Sequence, residues 1–279
     1  MTDQLPLSDY KQQIADLFNR RSPTYDQSEW HLQIAHRLVE YAQLRPGDQV
    51  LDIATGTAMA AIAAAQVVGT GGKVVGIDIS SGMLEQAQQK VTALGLTNIE
   101  FQLADAESLD FPANSFDCIL CSSALIWMEN FPGALQHWHQ FLKPGGLLGF
   151  HAFAETAFIP SIVVQKVLAK YGIALYLNQP TGTTEKCRHL LETAGYDCIE
   201  IISEQYGSYI SLEQAKAMWL GSSYPAPGQF PNPFSQLSTV EIEQVKAEFE
   251  LELAALETAQ GIWNDITTFF TFGRKPVIQ

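Results

Sequence analysis

Three aspartates stand at the ends of short apolar runs, where a chain of alternating strands and helices collects its chemistry. Asp52 lies in Gln49-Val50-Leu51-Asp52-Ile53, just before a turn of small residues, Ala54-Thr55-Gly56-Thr57-Ala58. Asp78 closes a second run, Lys73-Val74-Val75-Gly76-Ile77-Asp78, and Asp105-Ala106 follow a third, at residues 99–103. Between the first two runs the alanine-rich residues 59–68 read as a helix. Strand, tight turn, helix, strand and acid is the layout of a parallel βαβ unit that binds a nucleoside cofactor. Small turn residues let the backbone approach a ligand, and a helix N-terminus offers free N–H groups to an anionic end of it. The second acid can take two ribose hydroxyls.

The turn also discriminates between cofactors. A dinucleotide would need G-x-G-x-x-G after the first strand. Here there is one glycine, Gly56, with Asp52 ahead of it. A carboxylate at that point repels a pyrophosphate but suits a ligand with an amino group or a cation. S-adenosylmethionine carries both an ammonium and a sulfonium.

The elements that must position these residues follow from hydrophobic spacing. Residues 8–45 read as two helical segments, with Ile14, Leu17, Phe18 and then Ile34, Leu38, Tyr41 recurring at helical intervals and Ser22-Pro23 breaking them. Ser80 is an N-cap for a helix that runs to about residue 93 and is stopped by Gly95. Phe116-Asp117-Cys118-Ile119-Leu120-Cys121 is a fourth strand. Residues 132–142 form a helix, Lys143-Pro144-Gly145-Gly146 a turn, and residues 147–153 a fifth strand. Strands alternating with helices of this length predict an open parallel sheet covered on both faces. Beyond Ala154 the rhythm changes. Helices are expected at 162–171, 185–194 and 239–256, strands at 198–203 and 265–274, and an aromatic, proline-rich stretch fills 211–238. The whole, 1–279, reads as one domain: a helical cap at 1–45, a cofactor-binding core at 46–153, and substrate-side insertions with the final strands at 154–279.

Composition narrows the partners. A formal net charge of −14 opposes grip on nucleic-acid backbones and gives a weak field for a cationic ligand. With 47% apolar and 16% charged residues the chain is of ordinary globular make-up. No apolar run is long enough to span a membrane, and the polar start with Asp3 and Asp9 lacks signal-peptide character, so a cytoplasmic location is expected. Cys118 and Cys121 form a C-x-x-C within a strand, where residues three apart face opposite sides. They read as core residues, and no metal site is evident.

The run from Val50 to Phe153 resembles the core of class I S-adenosylmethionine-dependent methyltransferases, in particular the UbiE-like branch of ubiquinone and menaquinone biosynthesis. The matching stretches are VLDIATGTA, GKVVGIDISSGML, FQLADAESLDF, FPANSFDCI and FLKPGG, in this order and spacing. Phe18 and Ser22-x-x-Tyr25-Asp26 are similar to the same family's N-terminal cap. The resemblance implies an α/β fold: an open, doubly wound seven-stranded sheet, six strands parallel and the last antiparallel, with the N-terminal helical cap and C-terminal insertions. It implies that Asp52, Ala54, Thr55, Gly56 and Thr57 wrap the methionine part of S-adenosylmethionine. Asp78, with Ile79 and Met83 in the same motif, would hold the ribose side. Asp105 and Ala106 would read the adenine, Ser122 would lie by the cofactor, and Tyr25 would close over it. Ala54 and Ala58 depart from the family, which has glycine there.

Methyl transfer from a sulfonium asks mainly for placement of the nucleophile and exclusion of water, and a base only where the acceptor must lose a proton. His151, within the fifth strand, is the preferred base. His137 and His139 sit on the preceding helix at a spacing that does not share a metal. After the fourth strand comes Cys121-Ser122-Ser123-Ala124-Leu125, with no Asn-Pro-Pro-Tyr-like segment, which disfavours methylation of nucleobases or glutamine. A small, apolar or aromatic acceptor is expected, methylated at carbon or oxygen, with Trp127, Trp219 and Tyr224 as substrate-side residues. Small-amine N-methylation stays open. A nicotinamide oxidoreductase and a non-catalytic cofactor-binding protein are the other readings of the same fold.

Overall fold

The computed structural model describes residues 6–27, 29–219 and 226–277. In chain order the elements are α1 (Asp9–Arg21), a 3₁₀ turn (Ser22–Gln27), α2 (Glu29–Ala42), β1 (Gln49–Ile53), α3 (Met59–Val68), β2 (Lys73–Asp78), α4 (Ser81–Leu94), β3 (Ile99–Leu103), β4 (Phe116–Cys121), α5 (Phe131–Phe141) and β5 (Leu142–Phe153). There follow α6 (Ile159–Lys170), α7 (Thr184–Thr193), β6 (Asp197–Gln205), β7 (Ser208–Ile210), α8 (Leu212–Ala217), α9 (Thr239–Ala254), β8 (Ile262–Asn264) and β9 (Thr267–Arg274).

The main sheet has seven strands in the order β3-β2-β1-β4-β5-β9-β6. β1 pairs in parallel with β2 on one side and β4 on the other, so Asp52 lies in register with Gly76 and Leu120. Strand order reverses between β1 and β4. That switch point opens a crevice at the carboxyl ends of the strands, the place where open α/β sheets bind ligands. β9 is the antiparallel strand of this sheet. It also changes the start of β5. The Lys143–Gly146 stretch, expected as a turn, is drawn into the strand because Gly145 N donates to Lys275 O (2.8 Å) and Lys275 N to Gly146 O (2.9 Å). β5 therefore begins at Leu142, where the apolar pattern alone begins it at 147.

The helix ends obey local chemistry. Ser8 caps α1 by accepting from Lys11 N, and Ser80 caps α4 by accepting from Met83 N. Arg20 and Arg21 in the last turn of α1 oppose the negative end of its dipole. Ser22-Pro23 ends α1 in the 3₁₀ turn.

The chain divides into two compact units. The first comprises residues 1–151, 187–202 and 270–279, and its core is the sheet itself, with Leu51, Ile53, Ile77, Ile119, Leu120 and Phe150 fully buried. The second comprises 152–186 and 203–269. Its own core joins α6, α8 and α9 through Val164, Val167, Leu168, Ala215, Val245, Phe249 and Leu253. A short antiparallel ladder in this unit, β7 with β8, pairs Ser208 with Asn264, Tyr209 with Trp263 and Ile210 with Ile262. Among the described residues no helix is long and apolar enough to cross a membrane.

Candidate functional site

The β1 turn is shaped by backbone that few residues adopt. Ala54, Gly56 and Ala58 all have left-handed φ angles, 51°, 57° and 69°. A Cβ added at Gly56 would meet no protein atom within 4 Å, because it would stand in open space in front of the turn. Behind the turn Asp52 is fully buried, and its Oδ2 accepts from Thr55 Oγ1 at 2.6 Å. Burial pushes its carboxyl up to about 7, against the hydrogen bonds from Thr55 and the Ala61 backbone.

Asp78, at the end of β2, ties two loops together. Its Oδ2 accepts from Gly56 N and its Oδ1 from Ser80 N, both at 2.8 Å. Burial raises its pKa to about 6, and the backbone N–H groups of Ser80, Gly56 and Ile79 oppose that rise. Three backbone donors leave the carboxylate about one of its four lone-pair sites, so the side chain can still accept from a hydroxyl in the crevice.

Asp105 follows β3. Its Oδ1 accepts from Glu107 N at 3.0 Å, and its Oδ2 from Lys11 Nζ at 2.7 Å. Lys11 also lies 2.9 Å from Glu107 and 3.6 Å from Glu129. Burial disfavours the charged lysine, but the two carboxylates outweigh it and its pKa is raised. Two further polar links hold the N-terminal segment against this edge. Asn19 Oδ1 accepts from Ser80 Oγ (2.7 Å) and Gly82 N (2.9 Å). Asp26 accepts from Thr57 Oγ1 and from Lys90 Nζ, both at 2.6 Å.

Two adjoining cavities result. The first is lined by Tyr25, Ala54, Gly56, Asp78, Ile79, Met83, Asp105, Ala106, Ser122 and Trp127, together with Lys11, Ile14, Phe18, Glu107 and Ser123. The second shares Tyr25, Ala54, Gly56, Ser122 and Ser123 and adds Asp52, Thr55, Thr57 and His31. The fold thus gathers all twelve sequence-derived cofactor candidates, from Tyr25 to Ser122, into one crevice at the switch point. Phe18 meets Tyr25 and Trp127 edge to face, with centroids 6.3 and 5.7 Å apart.

His151 is buried on β5 and lies behind the cavity wall, 2.7 Å through Nδ1 from Ser123 Oγ. Ser123 stands between the ring and the cavity, in left-handed backbone at φ 58°. Trp219 belongs to the second unit, packed edge to face on Phe234 and against Phe249. Tyr224 falls outside the described residues. Cys118 and Cys121 are buried thiols whose pKa values burial raises, and His137 hydrogen-bonds the carbonyl of Leu109. Sequence reasoning missed Lys11, Glu107, Ser123 and His31 as parts of the crevice, and Asn19 as the link from α1 to the start of α4. A lysine or asparagine on an amphipathic helix carries no local signal; only docking of α1 brings each to its partner.

Residues 50–146 match the methyltransferase-domain family. Over 222 residues the chain is 38% identical to the ubiquinone/menaquinone biosynthesis C-methyltransferase UbiE of Francisella tularensis subsp. holarctica, spanning 71% of this chain and 88% of that one. The chain belongs to the class I S-adenosylmethionine-dependent methyltransferases. The methyltransferase is also 39% identical over 145 residues to the aklanonic acid methyltransferase DauC of a Streptomyces species, covering 51% of this chain and 66% of DauC. Among solved structures, the YcgJ protein of Bacillus subtilis shares the fold, with a TM-score of 0.58 at 17% identity over 90% of this chain and 100% of that one.

S-adenosylmethionine is the methyl donor of this methyltransferase. The crevice suits it chemically. Open space faces Gly56, a carboxylate with a spare lone pair ends β2, and a second acid, Asp52, lines the adjoining cavity, where it suits a cation. Bound, it supplies an electrophilic methyl group on a sulfonium.

Proposed function

We propose that this methyltransferase acts on a small apolar or aromatic acceptor bearing a hydroxyl whose proton leaves as carbon or oxygen is methylated. The observation that carries the reading is the Ser123–His151 pair at the wall of a crevice whose lining includes the apolar side chains of Ile14, Phe18, Trp127 and Met128. Asp52, Ala54, Thr55, Gly56 and Thr57 would hold the amino-acid end of the cofactor, and Asp78, Ile79 and Met83 the ribose side. Asp105 and Ala106 would hold the adenine, with Ser122 beside the sulfonium and Tyr25 as part of the roof.

The protein's contribution is mostly placement and dryness. Aligning a nucleophile with its target can be worth roughly 7–11 kcal/mol, and the apolar wall excludes competing water. The proton then has a route. Ser123 Oγ accepts it from the acceptor hydroxyl while giving its own proton to His151 Nδ1, so the charge ends on an imidazolium behind the wall. Ser123 would be the group that touches the acceptor, and His151 acts through it. Two relatives support small-molecule chemistry by name: one is a C-methyltransferase of ubiquinone and menaquinone biosynthesis, the other an aklanonic acid methyltransferase.

The test is methyl transfer from labelled S-adenosylmethionine to a panel of phenols, quinols and small amines, repeated with Ser123→Ala and His151→Asn. Methylation of hydroxylated rings, reduced about 100-fold in kcat in both variants and with a shifted pH–rate profile, is the expected result. Methylation of amines alone, or an unchanged kcat in both variants, would overturn the reading.

A further inference from the structure

The second cavity is also lined by a histidine from the N-terminal cap. His31, near the start of α2, lines it beside Asp52, Thr55 and Thr57. Its ring stacks on Tyr25, with centroids 4.7 Å apart and planes 16° from parallel, and Trp30 lies against it at 3.9 Å. Aromatic packing therefore fixes the ring. Its Nδ1 is buried, yet it makes no hydrogen bond to any of the described residues. A buried polar atom costs about 1–3 kcal/mol in that state, a cost that a ligand bound in the cavity would relieve.

The polar neighbours indicate what would meet this nitrogen. Thr57 Oγ1 is already engaged with Asp26, and Thr55 Oγ1 with Asp52. Burial first, and then the positive charge of Arg21, push the pKa of His31 down to about 4, with Asp26 pulling the other way. Near neutral pH the ring is uncharged, with one nitrogen protonated and the other bare; in the tautomer with the proton on Nε2, Nδ1 can accept but not donate. A carboxylate has nothing to give it. An ammonium does, and Asp52 across the same cavity favours a cation there.

We propose that His31 is a cofactor-positioning residue whose Nδ1 accepts a hydrogen bond from the α-ammonium of the S-adenosylmethionine amino-acid end. It would act with Asp52, one group from the cap and one from β1, so that the ammonium links the two. This rests on the amino-acid end occupying the second cavity.

Calorimetric titration of the full chain tests it with three probes. S-adenosylhomocysteine has both charged groups, S-adenosyl-3-thiopropylamine has the amine alone, and 5′-methylthioadenosine has neither. His31→Phe keeps a flat ring against Tyr25 and removes the nitrogen, whereas His31→Asn returns an acceptor near the Nδ1 position. His31→Phe should weaken the first two probes about tenfold and leave 5′-methylthioadenosine unchanged, with His31→Asn recovering most of the loss. Equal weakening of all three would mean that the ring only packs the cap, and would overturn the proposal. Unchanged S-adenosylhomocysteine binding would do the same. Weakening of S-adenosylhomocysteine alone would move the contact to the carboxylate and overturn the ammonium assignment. Failure of the wild-type protein to bind S-adenosylhomocysteine would instead sink the placement of the cofactor, a separate outcome.

Discussion

Ala54 and Ala58 hold a backbone conformation that costs an L-residue roughly 1–2 kcal/mol, and Ala58 opens α3 without any side-chain cap. Ala58→Gly should therefore raise the unfolding free energy by about 1 kcal/mol or slightly less, since glycine gains unfolded-state entropy. An increased urea midpoint with an unchanged slope would show it. The acids of the same turn give a pH signature. Asp52 and Asp78 have folded pKa values near 7 and 6, above the roughly 3.9 of an unfolded aspartate. Their contribution to stability is full below about pH 4 and is lost as pH rises through 6 to 7. Comparing thermal unfolding of the wild type with Asp52→Asn across pH 4 to 8 isolates it. The wild type should lose stability relative to the variant as pH rises, and parallel curves would refute the burial argument.

At the scale of elements, α1 and the 3₁₀ turn are fastened to the sheet edge through Lys11, Asn19 and Asp26. Asn19 reaches the N-terminus of α4 over Gly82, where a Cβ would come within 2.9 Å of Ser22 Oγ and 3.2 Å of Asn19 Oδ1. Gly82→Val should thus push the cap away and make the α1–α2 segment more open to limited proteolysis, with the sheet intact by circular dichroism. Lys11→Met leaves Asp105 and Glu107 side by side without their cation, a loss of about 2 kcal/mol or more of cap docking. Dissociation of S-adenosylhomocysteine should speed up about tenfold or more in stopped-flow measurements. Equal rates in the two proteins would mean that the cap does not gate the crevice.

For the molecule as a whole, the second unit needs its own apolar core. Phe249 is fully buried in it, beside Val245 and Leu253 on α9 and against Trp219. Phe249→Ala should cost about 3–5 kcal/mol. Trp219→Ala should lower the melting temperature as well. A Trp219 variant of unchanged stability but raised acceptor KM would instead assign that ring to the substrate, the role expected of it from sequence. The net charge of −14 remains a property of solubility and encounter rather than of fold.

What the sequence by itself determined is the βαβ core: Asp52, Gly56, Asp78 and Asp105 announce themselves because strand period, a small-residue turn and strand-end acids are local patterns. The antiparallel sense of the last strand came from a family resemblance carried by the same stretches, which also supported the S-adenosylmethionine reading opened by Asp52 and the single-glycine turn. Tertiary structure alone decided the rest. Lys11 meets Asp105 across a sequence separation of 94 residues, and Ser123 meets His151 across 28. The β7–β8 ladder and the early start of β5 are likewise made by strands distant in sequence, so no local window shows them. A side chain's periodicity tells which face it occupies, but only the docking of one element on another tells what it touches there.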